Sequence, residues 1–197
     1  MQEIGAFVIF FASIFTSNIL LTNFLGMCSY LSVSREIKTA WGLGVAVVFV
    51  MTTTSIANYV VYYNILVPLK LEYLEYIAFI IVIAALVQVV EMIIERTSDR
   101  LYASLGIFLP LITVNCAVLG AALFLIIRKY DFYQSLAYGA GSGIGWMLAI
   151  IALAGIRAKM SRRSKVIPAL EGPGIVLIIT GIIALGFIGF SGIVQIN

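Results

Sequence analysis

Long apolar runs alternate with short polar breaks along this chain, and most runs are about the length of one bilayer crossing. A hydrocarbon core of about 30 Å takes roughly 20 helical residues, and six runs meet that need: Ile4 to Val33, Ala40 to Val61, Tyr73 to Ile94, Leu101 to Ile127, Phe132 to Ile156 and Gly172 to Val194. The pattern predicts an all-α integral membrane protein with six transmembrane helices. The first run is too long for a single crossing and is interrupted by Asn18, Asn23 and Gly26, so a break is expected around Asn23 to Cys28. The fourth carries Pro110 and Asn115-Cys116 at its centre.

The runs repeat in order. Each half has a broken helix bearing Asn and Cys, then a helix rich in glycine, then a plain apolar helix. The first half offers Asn23 and Cys28, Gly42 and Gly44, and the span after Tyr73. The second offers Asn115-Cys116, the stretch Gly139 to Gly145, and the span after Gly172. Three crossings per half turn the second half over. The chain therefore reads as one membrane domain, 1–197, built as an inverted 3+3 repeat of residues 1–97 and 98–197. In such folds the functional site lies at the midplane, where broken helices from both halves meet. Both cysteines are accordingly expected to be buried near the middle of the bilayer.

Charge gives the orientation. The sequence has 12 Lys and Arg, 9 Asp and Glu and no His, with 62% apolar residues. Arg35, Lys38, Arg96, Arg100, Arg157, Lys159, Arg162, Arg163 and Lys165 fall on one side; Lys70, Arg128 and Lys129 fall on the other. The positive-inside rule places the first set in the cytoplasm and both termini outside. Residues Met1 to Ile4 carry only Glu3, so the first run is read as a retained helix rather than a cleaved signal. The basic residues follow topology, which leaves no nucleic-acid footprint. Tyr59, Tyr62, Tyr63, Tyr73 and Tyr76 form an aromatic belt at the outer ends of helices two and three.

Candidate chemistry is sparse. Without histidine, imidazole zinc sites and histidine proton relays are excluded. Glu91 and Glu95 lie one turn apart near the cytoplasmic end of the third helix, and an interface anchor or ion pair explains them as well as an ion path does. The cluster Arg157 to Lys165 reads as a topogenic loop near anionic lipid. Gly139 to Gly145 lacks the strand, Lys and Asp of a phosphate loop, so it reads as a helix-packing surface.

The cysteines allow two readings. Gly26 before Met27-Cys28, and Pro110 before Cys116, fit helix breaks that would aim half-helix dipoles at something held by thiolates. Equally, glycine and proline are common in membrane helices, and cysteine is a small apolar residue there. If the cysteines are ligands, one chain supplies only two of the four thiolates that an iron–sulfur cluster normally takes.

Three segments carry a family resemblance: Phe24-Leu25-Gly26-Met27-Cys28, the run Leu105 to Ala117 ending in Asn115-Cys116-Ala117, and Gly189-Phe190-Ser191-Gly192. They resemble the RnfA/NqrE family, membrane subunits of the Rnf ferredoxin:NAD oxidoreductase and of the sodium-translocating NADH:quinone oxidoreductase. The segments Gly26 to Tyr30, Thr113 to Cys116 and Gly141 to Leu148 are closer to the quinone-reductase subunit, while the short connection Asn64 to Glu72 is closer to the Rnf form.

The resemblance implies six helices in two inverted halves and a homologous sister subunit of inverted topology. It implies a 2Fe–2S iron–sulfur centre in mid-membrane, held by two cysteines from each subunit, with Cys28 and Cys116 in the matching positions. Gly26 and Asn115 are then expected beside the centre, the first for close backbone approach and the second as an amide donor. Electrons would pass between flavin- and iron–sulfur-bearing subunits of a complex in the bacterial inner membrane, coupled to Na+ or H+ transport. The rival readings are a small secondary transporter and a non-redox scaffold.

Overall fold

The computed structural model describes residues 5–97, 109–163 and 173–189, and every regular element among them is helical. In chain order these are α1 (Ala6–Ile14), α2 (Met27–Val33), α3 (Ile37–Val61), α4 (Glu75–Thr97), α5 (Leu109–Thr113), α6 (Cys116–Ile127), α7 (Phe132–Arg163) and α8 (Pro173–Ile188). Among the described residues, four stretches are long and apolar enough to cross a membrane: Ile37–Leu69, Glu72–Ile93, Pro110–Ile127 and Phe132–Met160. Helix α8 is a shorter apolar helix. The chain is a multi-pass membrane protein.

One break departs from its expected position. The first run leaves its helix already at Ile14 and regains one only at Met27, so the interruption is much wider than Asn23 to Cys28. In the fourth run the interruption among the described residues falls at Val114-Asn115, and the residues before Leu109, on which the effect of Pro110 depends, lie outside the described residues. Residues 101–108 of that run, and 190–194 of the last, lie outside the described residues.

Two connections are also more helical than expected. Helix α3 continues beyond Val61 through a π-turn, Tyr62–Leu66, and a last turn at Val67–Leu69, closed by Lys70 in a left-handed conformation. Helix α7 runs on past Ile156 to Arg163, so the first part of the predicted basic loop is helix.

Helix α7 is the axis of the fold, packed between α3 and α1. Its glycines explain how. A Cβ on Gly139 would lie 2.6 Å from Ser55 Oγ, and one on Gly143 would lie 2.8 Å from the Val48 Cα, so these two glycines admit the α3 backbone. A Cβ on Gly141 would collide with Ser13 and lie 2.7 Å from the Phe10 carbonyl oxygen; one on Gly145 would lie 3.0 Å from the Ile14 carbonyl oxygen. Two glycine pairs, each spaced by one turn, thus present opposite sides of α7 to two helices. With no hydrophobic drive between helices in lipid, close backbone contact is what holds them. The packing reading of Gly139 to Gly145 is borne out.

The core around this axis contains Trp146, Tyr138, Tyr30, Leu43 and Met51, all fully buried. Helix α4 is peripheral, with Ile77, Ile81, Met92 and Ile93 exposed as lipid-facing residues would be. Glu91 near its end is half-buried and Glu95 exposed. Helix α8 lies against α7 and turns Thr180 toward α2, its Oγ1 3.3 Å from the Tyr30 hydroxyl.

Alanine at Gly141 or Gly143 is expected to destabilise the purified protein by about 1–3 kcal/mol, because the added methyl meets backbone that must move. Gly155→Ala on the same helix, where a Cβ meets nothing within 4 Å, should leave the thermal midpoint in detergent unchanged or raised.

Candidate functional site where two broken helices meet

Breaking a helix in an apolar medium frees N–H and C=O groups that water cannot satisfy, each at a cost of several kcal/mol. The first break is held by Asn18, which is 1% exposed. Its Nδ2 donates to the Ile14 carbonyl at 3.1 Å, closing the end of α1. Its Oδ1 accepts from the Leu20 and Leu21 N–H groups at 3.1 and 3.3 Å, capping the turns that follow. Thr16 and Ser13 donate back to the Ala12 and Phe10 carbonyls. The segment then bends through Phe24, at φ 55°, and Gly26, at φ 82°, into α2. Asn23, by contrast, is exposed.

The second break is held by Asn115, which is 2% exposed. Asn115 is the N-cap of α6, and its Oδ1 accepts from the Ala117 N–H at 3.0 Å. Its Nδ2 crosses to the other half, donating to Ser29 Oγ at 3.2 Å. Ser29 in turn donates to the Gly26 carbonyl at 3.2 Å. A second bond joins the two breaks: the Gly26 N–H donates to Cys116 Sγ at 2.9 Å. Leu25 also packs where a side chain on Gly120 of α6 would be.

These contacts bring Gly26, Asn115 and Cys116 to one junction, with Cys28 two residues beyond Gly26 in the chain. Cys116 is the first residue of α6 and Cys28 the second of α2, so each sits at the amide end of a half-helix, where negative charge is favoured. The Gly26 N–H is directed at the sulfur of Cys116, and the side chain of Asn115 bonds Ala117 and Ser29, which holds the junction together.

Within this chain both cysteines are free and exposed, beside a network whose other members are buried. An apolar sequence context suits a side chain facing lipid or another subunit as well as one facing its own core, and only the fold separates these cases.

Sequence reasoning also missed Arg157. It belongs to α7, and its Nη1 donates to Ser34 Oγ at 2.6 Å and to the Leu31 carbonyl at 3.3 Å. A cation is thereby placed at the carbonyl end of α2, the short helix that opens with Cys28. The position alone gave no signal, because Arg157 sits in a basic cluster that topology already explained.

A family model described as Rnf-Nqr subunit, membrane protein, matches residues 6–194. The chain belongs to the Rnf-Nqr family. Membership is that of a membrane subunit and is consistent with a redox complex, and both broken helices lie within the matched range. Cys28 and Cys116 are free thiols, and among the described residues no group of three or more Cys, Asp or Glu that could hold a metal ion occurs.

Gly26→Ala is expected to cost about 1–3 kcal/mol, from a strained positive φ and a methyl 2.6 Å from Trp146 Nε1. Asn115→Ala removes a cap worth about 1 kcal/mol and leaves Ser29 without its donor. Chemical denaturation of the purified protein checks both, and a neutral Asn115→Ala would show that the cap does not hold the break.

Proposed function

We propose that this chain is an electron-transfer subunit of an ion-translocating redox complex, either the NADH:quinone oxidoreductase or the Rnf ferredoxin:NAD oxidoreductase. The observation that carries this reading is the hydrogen bond from the Gly26 N–H to Cys116 Sγ. It ties the two cysteine-bearing breaks into one junction and leaves both thiols open to another subunit.

In this reading Cys28 and Cys116 are thiolate ligands, two of the four that a 2Fe–2S centre takes, and a homologous sister membrane subunit of inverted topology supplies the other two. When bound, such a centre accepts and passes on single electrons between flavin- and iron–sulfur-bearing subunits of the complex. The residues of this chain hold the thiolates, with the amide end of α6 and the Gly26 N–H lowering the cost of their negative charge. The chain alone contains no complete active site.

The same reading completes the architecture as six spans in an inverted 3+3 repeat, with both termini on the periplasmic side of the inner membrane. Its support is the parallel between halves. Each has a helical segment, a break closed by a buried asparagine, and a further helix with a cysteine in its first turn. The complex couples electron flow to Na+ or H+ transport, and coupling depends on partner subunits as well as this one.

The test compares the purified complex with its Cys28→Ala and Cys116→Ala variants by iron content and reduced-state electron paramagnetic resonance. Both variants should insert and assemble at near-normal levels yet lose the signal of the shared centre. An unchanged iron content and signal in both would return the cysteines to packing, and favour a transporter or scaffold role.

A further inference from the structure

Trp146 is the largest fully buried side chain of the described core, and its indole nitrogen has no hydrogen-bond partner. Buried tryptophan normally finds an acceptor, and leaving the donor unpaired costs about 1–3 kcal/mol. A phenylalanine would fill much of the same volume without that cost. The location of the unpaired group is what gives it meaning. The Trp146 Nε1 lies 2.6 Å from the point where a Cβ on Gly26 would stand, and Asn115 Oδ1 lies 3.0 Å from the same point. The indole nitrogen therefore lies against the Gly26 turn, whose own N–H donates to Cys116 Sγ. Asn115 Oδ1, the nearby acceptor, is already engaged by the Ala117 N–H.

We propose that Trp146 is a positioning residue for the cysteine junction: its ring packs against the Gly26 turn, and its unpaired N–H adds positive potential beside the turn that donates to Cys116 Sγ. The ring prevents the turn from sinking into α7, which keeps the Gly26 N–H aimed at the sulfur. The uncompensated donor acts in the same direction as that N–H and as the amide end of α6. In a site of low dielectric such dipoles are weakly screened.

The sign follows from charge. A centre held by thiolates is anionic and becomes more so on reduction, so donors aimed at it favour the reduced form. Removing one donor must make reduction harder. This inference rests on the iron–sulfur reading of Cys28 and Cys116, and its test separates the two.

The experiment is a redox titration of the iron–sulfur signal in the purified complex, wild type beside Trp146→Phe, with iron content measured in each. The expected result is retained iron and a potential moved downward, equivalent to an oxidised-to-reduced ratio raised about three- to tenfold at fixed poise. Retained iron with an unmoved potential overturns the role of Trp146 while leaving the ligand assignment standing. Absence of iron from the wild-type complex overturns both. Should Trp146→Phe fail to assemble, a benzothienylalanine at the same position keeps both rings and replaces the N–H by sulfur, and the same shift is required of it.

Discussion

The site depends on how the backbone is satisfied where two helices are interrupted in an apolar medium. Lipid offers no donors or acceptors, so an open break persists only if the protein supplies them. Here two asparagines do so. Asn18 closes the end of α1 and caps the turns after it, and Asn115 caps α6 while reaching across to Ser29. The cross-links from Asn115 to Ser29 and from Gly26 to Cys116 mean that each break helps to complete the other. Two separate costs become one shared structure, with a sulfur among its acceptors.

The rest of the fold supports this junction from below and behind. The glycine pairs of α7 draw α1 and α3 close enough for backbone contact, which fixes where the break after Ile14 begins. One turn of α7 then carries both Gly145, against Asn18, and Trp146, against Gly26. Further along the same helix, Arg157 grips the carbonyl end of α2. A single rigid helix thus touches the hub of the first break, the turn before Cys28 and the far end of the helix that carries it. Such a scaffold suits an electron carrier, for which ligand positions should change little between redox states.

Much of this was legible in the chain. The apolar runs announced a membrane protein, Gly26 marked a bend, and the Gly139 to Gly145 stretch announced close packing, since small residues in an apolar span have few other uses. Asn18 was visible as an interruption, but its role depends on the chain folding back over the end of α1, which spacing does not encode. The cysteines looked buried because apolarity is the same signal whether a residue faces its own core, lipid or a partner. Arg157 was hidden by its neighbours, since a basic cluster at a membrane surface already has a sufficient explanation.

The central claim is that two interruptions far apart in sequence bring Cys28 and Cys116 to one exposed junction, and this can be measured without any cofactor. The iron-free protein would be treated with a short bifunctional maleimide and analysed by mass spectrometry. The account predicts one reagent bridging Cys28 and Cys116 within a single chain. Two separate adducts on every chain, with no bridged species at any reagent concentration, would contradict it.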